Sequence, residues 1–150
     1  MKERGFALIE LVITLFLFVL ITILSASSSS ELYQKNEALR LRDELKAAMH
    51  YAKLQALNRG NKVLLEALST DRNWAKGMVL KSGNIILYQW QWNHPSWQLR
   101  WTGIHGEQQI QLSSHPLQAM SNGRFILSRK NGREEWVLVL NKLGRLRESP

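Results

Sequence analysis

Nineteen residues, Phe6 to Leu24, form an apolar run interrupted only by Glu10, Thr14 and Thr22. As a helix the run is roughly 28 Å long, close to the thickness of a bilayer's hydrocarbon core. Lys2 and Arg4 precede it, so the positive-inside bias puts Met1 in the cytoplasm and the chain after Leu24 outside. A secretory h-region of about 7–15 residues is shorter than this, which argues against a signal peptide cut near Ser25-Ala26-Ser27. Glu10 is the anomaly. A carboxylate at the centre of a span costs roughly 2.5–3.5 kcal/mol on an insertion scale and calls for a partner. Within one helical turn the candidate is the amine that a cut before Phe6 would create.

The segment Gly5-Phe6-Ala7-Leu8-Ile9-Glu10-Leu11-Val12 resembles the class III signal of type IV pilins and pseudopilins: a short basic leader, Gly, Phe, Glu at the fifth mature position, then an apolar helix. Ala7 stands where Thr is commoner. The resemblance implies that residues 1–5 are a leader, that a prepilin peptidase cuts between Gly5 and Phe6, and that the Phe6 amine is methylated. It also implies that Glu10 meets the amine of a neighbouring pilin subunit during assembly. The plain alternative is an anchor with a snorkelling Glu.

On this reading residues 6–24 are the transmembrane and assembly helix, 25–60 a linker with an amphipathic helical half, and 61–150 a β-rich globular domain. Ser25 to Ser30 reads as a soft joint, because serine competes for its own backbone bonds. From Glu31 to Asn58 the period is helical. Ala38, Leu41, Leu45, Ala48, Met49, Ala52 and Ala56 make one apolar stripe, charges fill the other side, and Gly60 suits the C′ position.

Beyond Gly60 the period becomes two. Strands are expected at Lys62–Leu65, at Met78–Leu80, and at Ile85–Trp92 with Ile86, Tyr88, Trp90 and Trp92 on the buried face. Further strands are expected at Trp97–Trp101, at 107–112, and at Gly123–Lys130 and Arg133–Asn141 around an Asn131-Gly132 turn. A two-residue turn sets Arg129 opposite Glu134, Leu127 opposite Trp136 and Phe125 opposite Leu138. The core face is then Phe125, Leu127, Trp136, Leu138 and Leu140. The fold class is α+β: a long N-terminal helix packed on a C-terminal antiparallel sheet or sandwich.

Composition excludes several chemistries. With no cysteine there is neither a disulfide scaffold, nor a thiolate metal site, nor a cysteine nucleophile. His50, His94, His105 and His115 share no metal-ligand spacing, and neither a P-loop, a dinucleotide fingerprint nor a nucleophile elbow is present. No catalytic residue, metal or cofactor is therefore assigned. Six tryptophans is a high count, and four fall within residues 90–101. They are either sheet core or an aromatic platform for bases or sugars. Core is the better reading, most firmly for Trp74, Trp90 and Trp136. A cell-surface sugar or adhesion module using the Trp cluster of residues 90–101 is the minor alternative.

Charge is the stronger signal. The formal net charge is +8, and residues 1–30 contribute none of it. Residues 121–150 carry Arg124, Arg129, Lys130, Arg133, Lys142, Arg145 and Arg147 against Glu134, Glu135 and Glu148. Gly144 permits a turn, after which Arg145 and Arg147 project to one side of an extended tail about 7 Å apart while Leu146 faces back. Two guanidinium groups at that spacing suit neighbouring phosphates, and Lys142, Lys130, Arg133 and Arg124 could extend the contact. The bland alternative is a solvated tail that keeps the chain soluble.

Three stretches resemble the GspH/FimT family of minor pilins and pseudopilins. They are Ala52–Val63 with Ala56, Arg59 and Gly60; Trp74-Ala75-Lys76-Gly77-Met78-Val79; and Leu143-Gly144-Arg145-Leu146-Arg147, which is similar to the Gly-Arg-x-Arg of FimT-type pilins. The resemblance implies a minor type IV pilin that binds DNA through phosphates, without sequence preference, for uptake in natural transformation. It would sit in the inner membrane with a periplasmic domain before joining the pilus and reaching the cell surface. Its partners would be DNA, other pilin subunits and the prepilin peptidase. The alternative is a structural minor pilin or an H-type pseudopilin of type II secretion that only primes assembly.

Overall fold

The computed structural model describes residues 3–115, 121–130 and 134–149, with side chains described over 8–23, 32–115, 121–130 and 136–149. The expected processing pair Gly5–Phe6 lies outside the described side chains, and Arg133 and the Asn131-Gly132 turn lie outside the described residues. Two compact units divide the chain, Met1–Glu37 and Ala38–Pro150.

The first unit is helix. Helix α1 is Glu3–Arg59, 57 residues, so the serine run keeps helical backbone where a soft joint was expected. Serine's deficit of up to about 0.7 kcal/mol per residue is well short of what glycine or proline would cost there, and Leu24 before the run and Glu31-Leu32 after it are good helix formers. From Leu8 to Ile23 every described side chain is exposed. Thr14 and Thr22 do not add free polar groups to this surface: Thr14 Oγ1 donates to the Leu11 carbonyl (2.9 Å) and Thr22 Oγ1 to the Val19 carbonyl (2.8 Å). Among the described residues no helix is long and apolar enough to cross a membrane. The expected span, residues 6–24, extends past the described side chains at both ends.

In the second unit the helical stripe does what its spacing requires. Ala38, Leu41, Leu45, Ala48, Met49, Ala52 and Ala56 are all buried. Ala48, Ala52 and Ala56 repeat every four residues, so the helix presents little side-chain bulk and its backbone can approach the sheets closely. The strands are β1 (Val63–Ala67), β2 (Gly77–Ser82), β3 (Ile85–Gln91), β4 (Trp97–Gly103), β5 (Gln109–Leu112), β6 (Gly123–Arg129), β7 (Glu134–Leu140) and β8 (Leu146–Glu148). They form two four-stranded sheets, ordered β3-β2-β1-β5 and β4-β6-β7-β8, and every described pairing is antiparallel.

Both sheets and the helix contribute to one core. Its largest fully buried side chains are Trp74, Trp97, Trp101 and Phe125, with Trp74 edge-on to Phe125 at 5.6 Å. The Trp101 indole lies over the cross-strand pair Gly103–Gly123, where a Cβ on either residue would strike its ring. Asn73 is a buried polar hub ahead of the short 3₁₀ turn Trp74–Lys76. Its Oδ1 accepts from Ala75 N (3.0 Å) and Leu99 N (2.9 Å), and its Nδ2 donates to the Trp97 carbonyl (3.2 Å).

Three expectations need correction. Strand β3 is not half-buried: Ile85 is 66% exposed, Ile86 58% and Tyr88 47%. It is the outermost strand of its sheet, and from α1 Tyr51 reaches it, 5.3 Å from Tyr88 and 5.7 Å from Trp90. In the β6–β7 pair Leu127–Trp136 and Phe125–Leu138 face each other as expected, but Glu134 lies opposite Ser128, not Arg129. The register shifts between Leu127 and Ser128 because β7 carries one extra residue there, Glu135, between Trp136 and Glu134, while the pairing of β6 with β4 runs on unbroken to Arg129–Trp97. Finally, Trp97 and Trp101 are fully buried, whereas Trp90, Trp92 and Trp136 pack at the core's margin. None of the six tryptophans is exposed, so the aromatic platform is not there.

Candidate nucleic-acid interface

The carboxy-terminal tail is a built turn and strand. After β7, Asn141 Oδ1 accepts from Leu143 N (3.0 Å) and Arg145 N (2.9 Å), and Gly144 N donates to the Asn141 carbonyl (2.9 Å). Gly144 takes φ 70°, the left-handed region in which glycine avoids a Cβ penalty. The chain then reverses into β8, with Leu146 opposite Leu140 and Arg147 opposite Val139. Leu146 packs against the core while Arg145 and Arg147 stay exposed, the alternation expected from the sequence.

The helix holds this tail in place. Lys53 Nζ donates to the Leu143 carbonyl (2.6 Å). Glu148 Oε1 accepts from Arg42 Nη1 (2.9 Å) and Lys46 Nζ (3.0 Å). The Lys46 hydrogen bond, followed by the Lys46 and Arg42 charges, keeps the Glu148 carboxyl below its ordinary range. Between helix and tail runs an open groove of about 610 Å³. Lys46, His50, Lys53, Leu54 and Leu57 line its helix side, and Arg145, Leu146 and Arg147 its tail side.

Other predicted residues divide by position. Thr102, Arg124, Val139 and Arg147 are successive cross-strand partners, so Arg124 and Arg147 share a face two strands apart, about 10 Å. Lys142 is exposed in the turn beside them. Lys130 lies six residues from Arg124, about 20 Å along the strand direction, at the opposite end of β6. The structure thus brings Arg124, Lys142, Gly144, Arg145 and Arg147 to one end of the sheet and leaves Lys130 at the other.

Sequence reasoning missed the helix wall. Arg42, Lys46, His50 and Lys53 recur at spacings of three and four, a basic row on one helix face. That row is the signal that could have found it, but it blends into a generally charged helix side.

The remaining ionisable groups serve the scaffold. His94 is buried with its Nε2 2.7 Å from Glu44 Oε2. Asp71 is brought down to about 2, first by the hydrogen bond from Lys76, then by bonds from Ser69 and the Asn73 N–H.

A helix whose second part lies on two antiparallel sheets, ending in a strapped basic tail, is a pilin-type α+β architecture. The family model described as type II transport protein GspH matches residues 42–144. This chain belongs to that GspH/FimT family. Two crystal structures of the type IV minor pilin FimU from Pseudomonas aeruginosa strain PAO1 share its fold. The P21 form has a TM-score of 0.61 at 20% identity and covers 77% of this chain and 90% of its own. The P65 form has a TM-score of 0.58 at 18% identity and covers 75% and 92%. No curated protein matches the sequence.

Proposed function

We propose that this chain is a minor type IV pilin that binds DNA without sequence preference through its carboxy-terminal Gly144-Arg145-Leu146-Arg147 region. The observation that carries the reading is the held tail: two exposed arginines, Arg145 just before β8 and Arg147 within it, with Arg124 and Lys142 at the same end of the sheet. Guanidinium groups on an ordered backbone engage phosphate oxygens with little backbone entropy left to lose, and phosphate contacts carry no sequence information. Such binding is electrostatic, about 10⁻⁴ to 10⁻⁶ M at physiological salt for a non-specific site. Several subunits in one filament raise the effective affinity. Uptake of DNA in natural transformation is the role this implies.

The amino-terminal half completes the reading. The leader ends at Gly5, a prepilin peptidase cleaves before Phe6 and methylates its amine, and residues 6–24 anchor the subunit in the inner membrane until assembly. Glu10 then meets the amine of a neighbouring subunit. The exposed apolar surface from Leu8 to Ile23 supports this, because it calls for lipid or other pilin helices around it.

The test is a titration of the full chain, in non-ionic detergent, with short duplex DNA at low and physiological salt. Each phosphate contact adds about 0.9 to the slope of log affinity against log salt. An Arg145→Gln, Arg147→Gln variant with unchanged circular dichroism is expected to lose about two such contacts. Binding indifferent to salt, or equal in the variant, would overturn the assignment to the tail. A second reading is supported by the family model's own description as a type II transport protein: an H-type pseudopilin or purely structural minor pilin that only primes assembly. It predicts no DNA binding by the wild type even at low salt.

A further inference from the structure

The groove between helix and tail is amphiphilic in a way that phosphate binding alone does not explain. Its helix side carries Lys46 and Lys53 and its tail side Arg145 and Arg147. On the helix side of the same groove Leu54 is 42% exposed and Leu57 48% exposed. Leucines left in water beside cations contribute nothing to holding phosphates. They are useful to a ligand that offers anionic groups and apolar faces together.

Duplex DNA does not offer both. Its base faces are stacked inside, and its outer surface is phosphate and sugar. A single strand does, because its unstacked bases are free to lie on an apolar surface while its backbone follows the cations. We infer that this groove takes a single DNA strand, with phosphates on Lys53, Arg145 and Arg147 and base faces on Leu54, Leu57 and Leu146. The inference rests on the DNA-binding reading above and deepens it: the helix supplies a second wall and the strand state becomes a matter of specificity. Lys46 contributes less than its charge suggests, since Glu148 already accepts its hydrogen bond at 3.0 Å. Lys53 is better placed, because its Nζ donates to a neutral carbonyl, that of Leu143, and not to a carboxylate.

The experiment compares a 12-nucleotide single strand with the 12-base-pair duplex of the same sequence, titrated into the full chain in non-ionic detergent. The variants are Leu54→Ser with Leu57→Ser, and Leu57→Ser alone. Burial of about 50–60 Å² of apolar surface corresponds to roughly tenfold in affinity. The wild type is therefore expected to prefer the single strand by about tenfold. The double variant is expected to lose that preference while binding duplex as before, and Leu57→Ser alone, which disturbs the helix least, to lose part of it. Equal wild-type affinities for both DNAs, or a preference unchanged in both folded variants, would overturn this inference and leave tail-mediated DNA binding standing. No binding to either DNA would overturn both.

Discussion

Asn73 shows how much one side chain can decide. It lies buried at the end of the loop after β1, and it satisfies Ala75 N, Leu99 N and the Trp97 carbonyl at once. An alanine there leaves buried backbone groups without partners, each at a cost of about 1–3 kcal/mol before any relaxation. We expect Asn73→Ala to destabilise the domain by about 2–3 kcal/mol, read as a lower urea midpoint with unchanged slope. A loss below about 0.5 kcal/mol would mean that water or a shifted loop replaces the hub. Nothing in the sequence marked this residue. Asn in a run such as Asp71-Arg72-Asn73 reads as turn chemistry, and its three partners come from elements up to 26 residues away.

Among elements, β8 depends on a side-chain contact as well as its ladder. It is three residues long, its Leu146 docks on the core, and Glu148 ties it to Arg42 and Lys46 on α1. The folded-state pKa of Glu148 is depressed, first by the Lys46 hydrogen bond. A depressed carboxylate contributes its stabilisation above its unfolded pKa and loses it as pH falls through the folded one. Docking of β8 should therefore be complete above about pH 4.3, the ordinary Glu value, and loosen only below it. The Leu146 methyl and Arg147 amide resonances should track that titration in the wild type and not in Glu148→Gln. Identical behaviour of the two proteins would show that the ladder to β7 holds the strand alone.

Elements also show where sequence reading succeeds. The helical stripe, the Phe125–Leu138 and Leu127–Trp136 pairs and the alternation of Arg145, Leu146 and Arg147 were legible because each is a local period tied to one buried face. The exposure of β3 was not, because alternation identifies a strand but not its place in a sheet. The shift at Ser128 was not, because a two-residue turn predicts an unbroken ladder and the extra residue on β7, Glu135, leaves no signature in the alternation. The groove's helix wall stayed hidden for another reason: Lys53 and Leu143 are 90 residues apart in sequence and meet only in the fold.

At the scale of the whole molecule, the core cluster begins, among the described residues, at Ala38. The stability of the sheets should then be indifferent to the amino-terminal segment. A chain starting at Leu32 is expected to melt within about 2 °C of the full chain in the same detergent, since a difference of 1 kcal/mol would move a domain of this size by about 4–8 °C. A larger drop would mean that residues before Leu32 contribute to folding. The formal net charge of +8 also resides entirely in residues 31–150, so the amino-terminal segment and the charged domain differ in composition.

The strap at Glu148 has one more consequence. A carboxylate resting on Arg42 and Lys46 is the protein's own anion, occupying the places an incoming phosphate would seek. Occupancy of that corner is an exchange and not an addition: one anion arrives only as another is let go. The corner is thereby less sticky than its tally of cations suggests, and the carboxylate that spends those cations is the one that keeps the tail held.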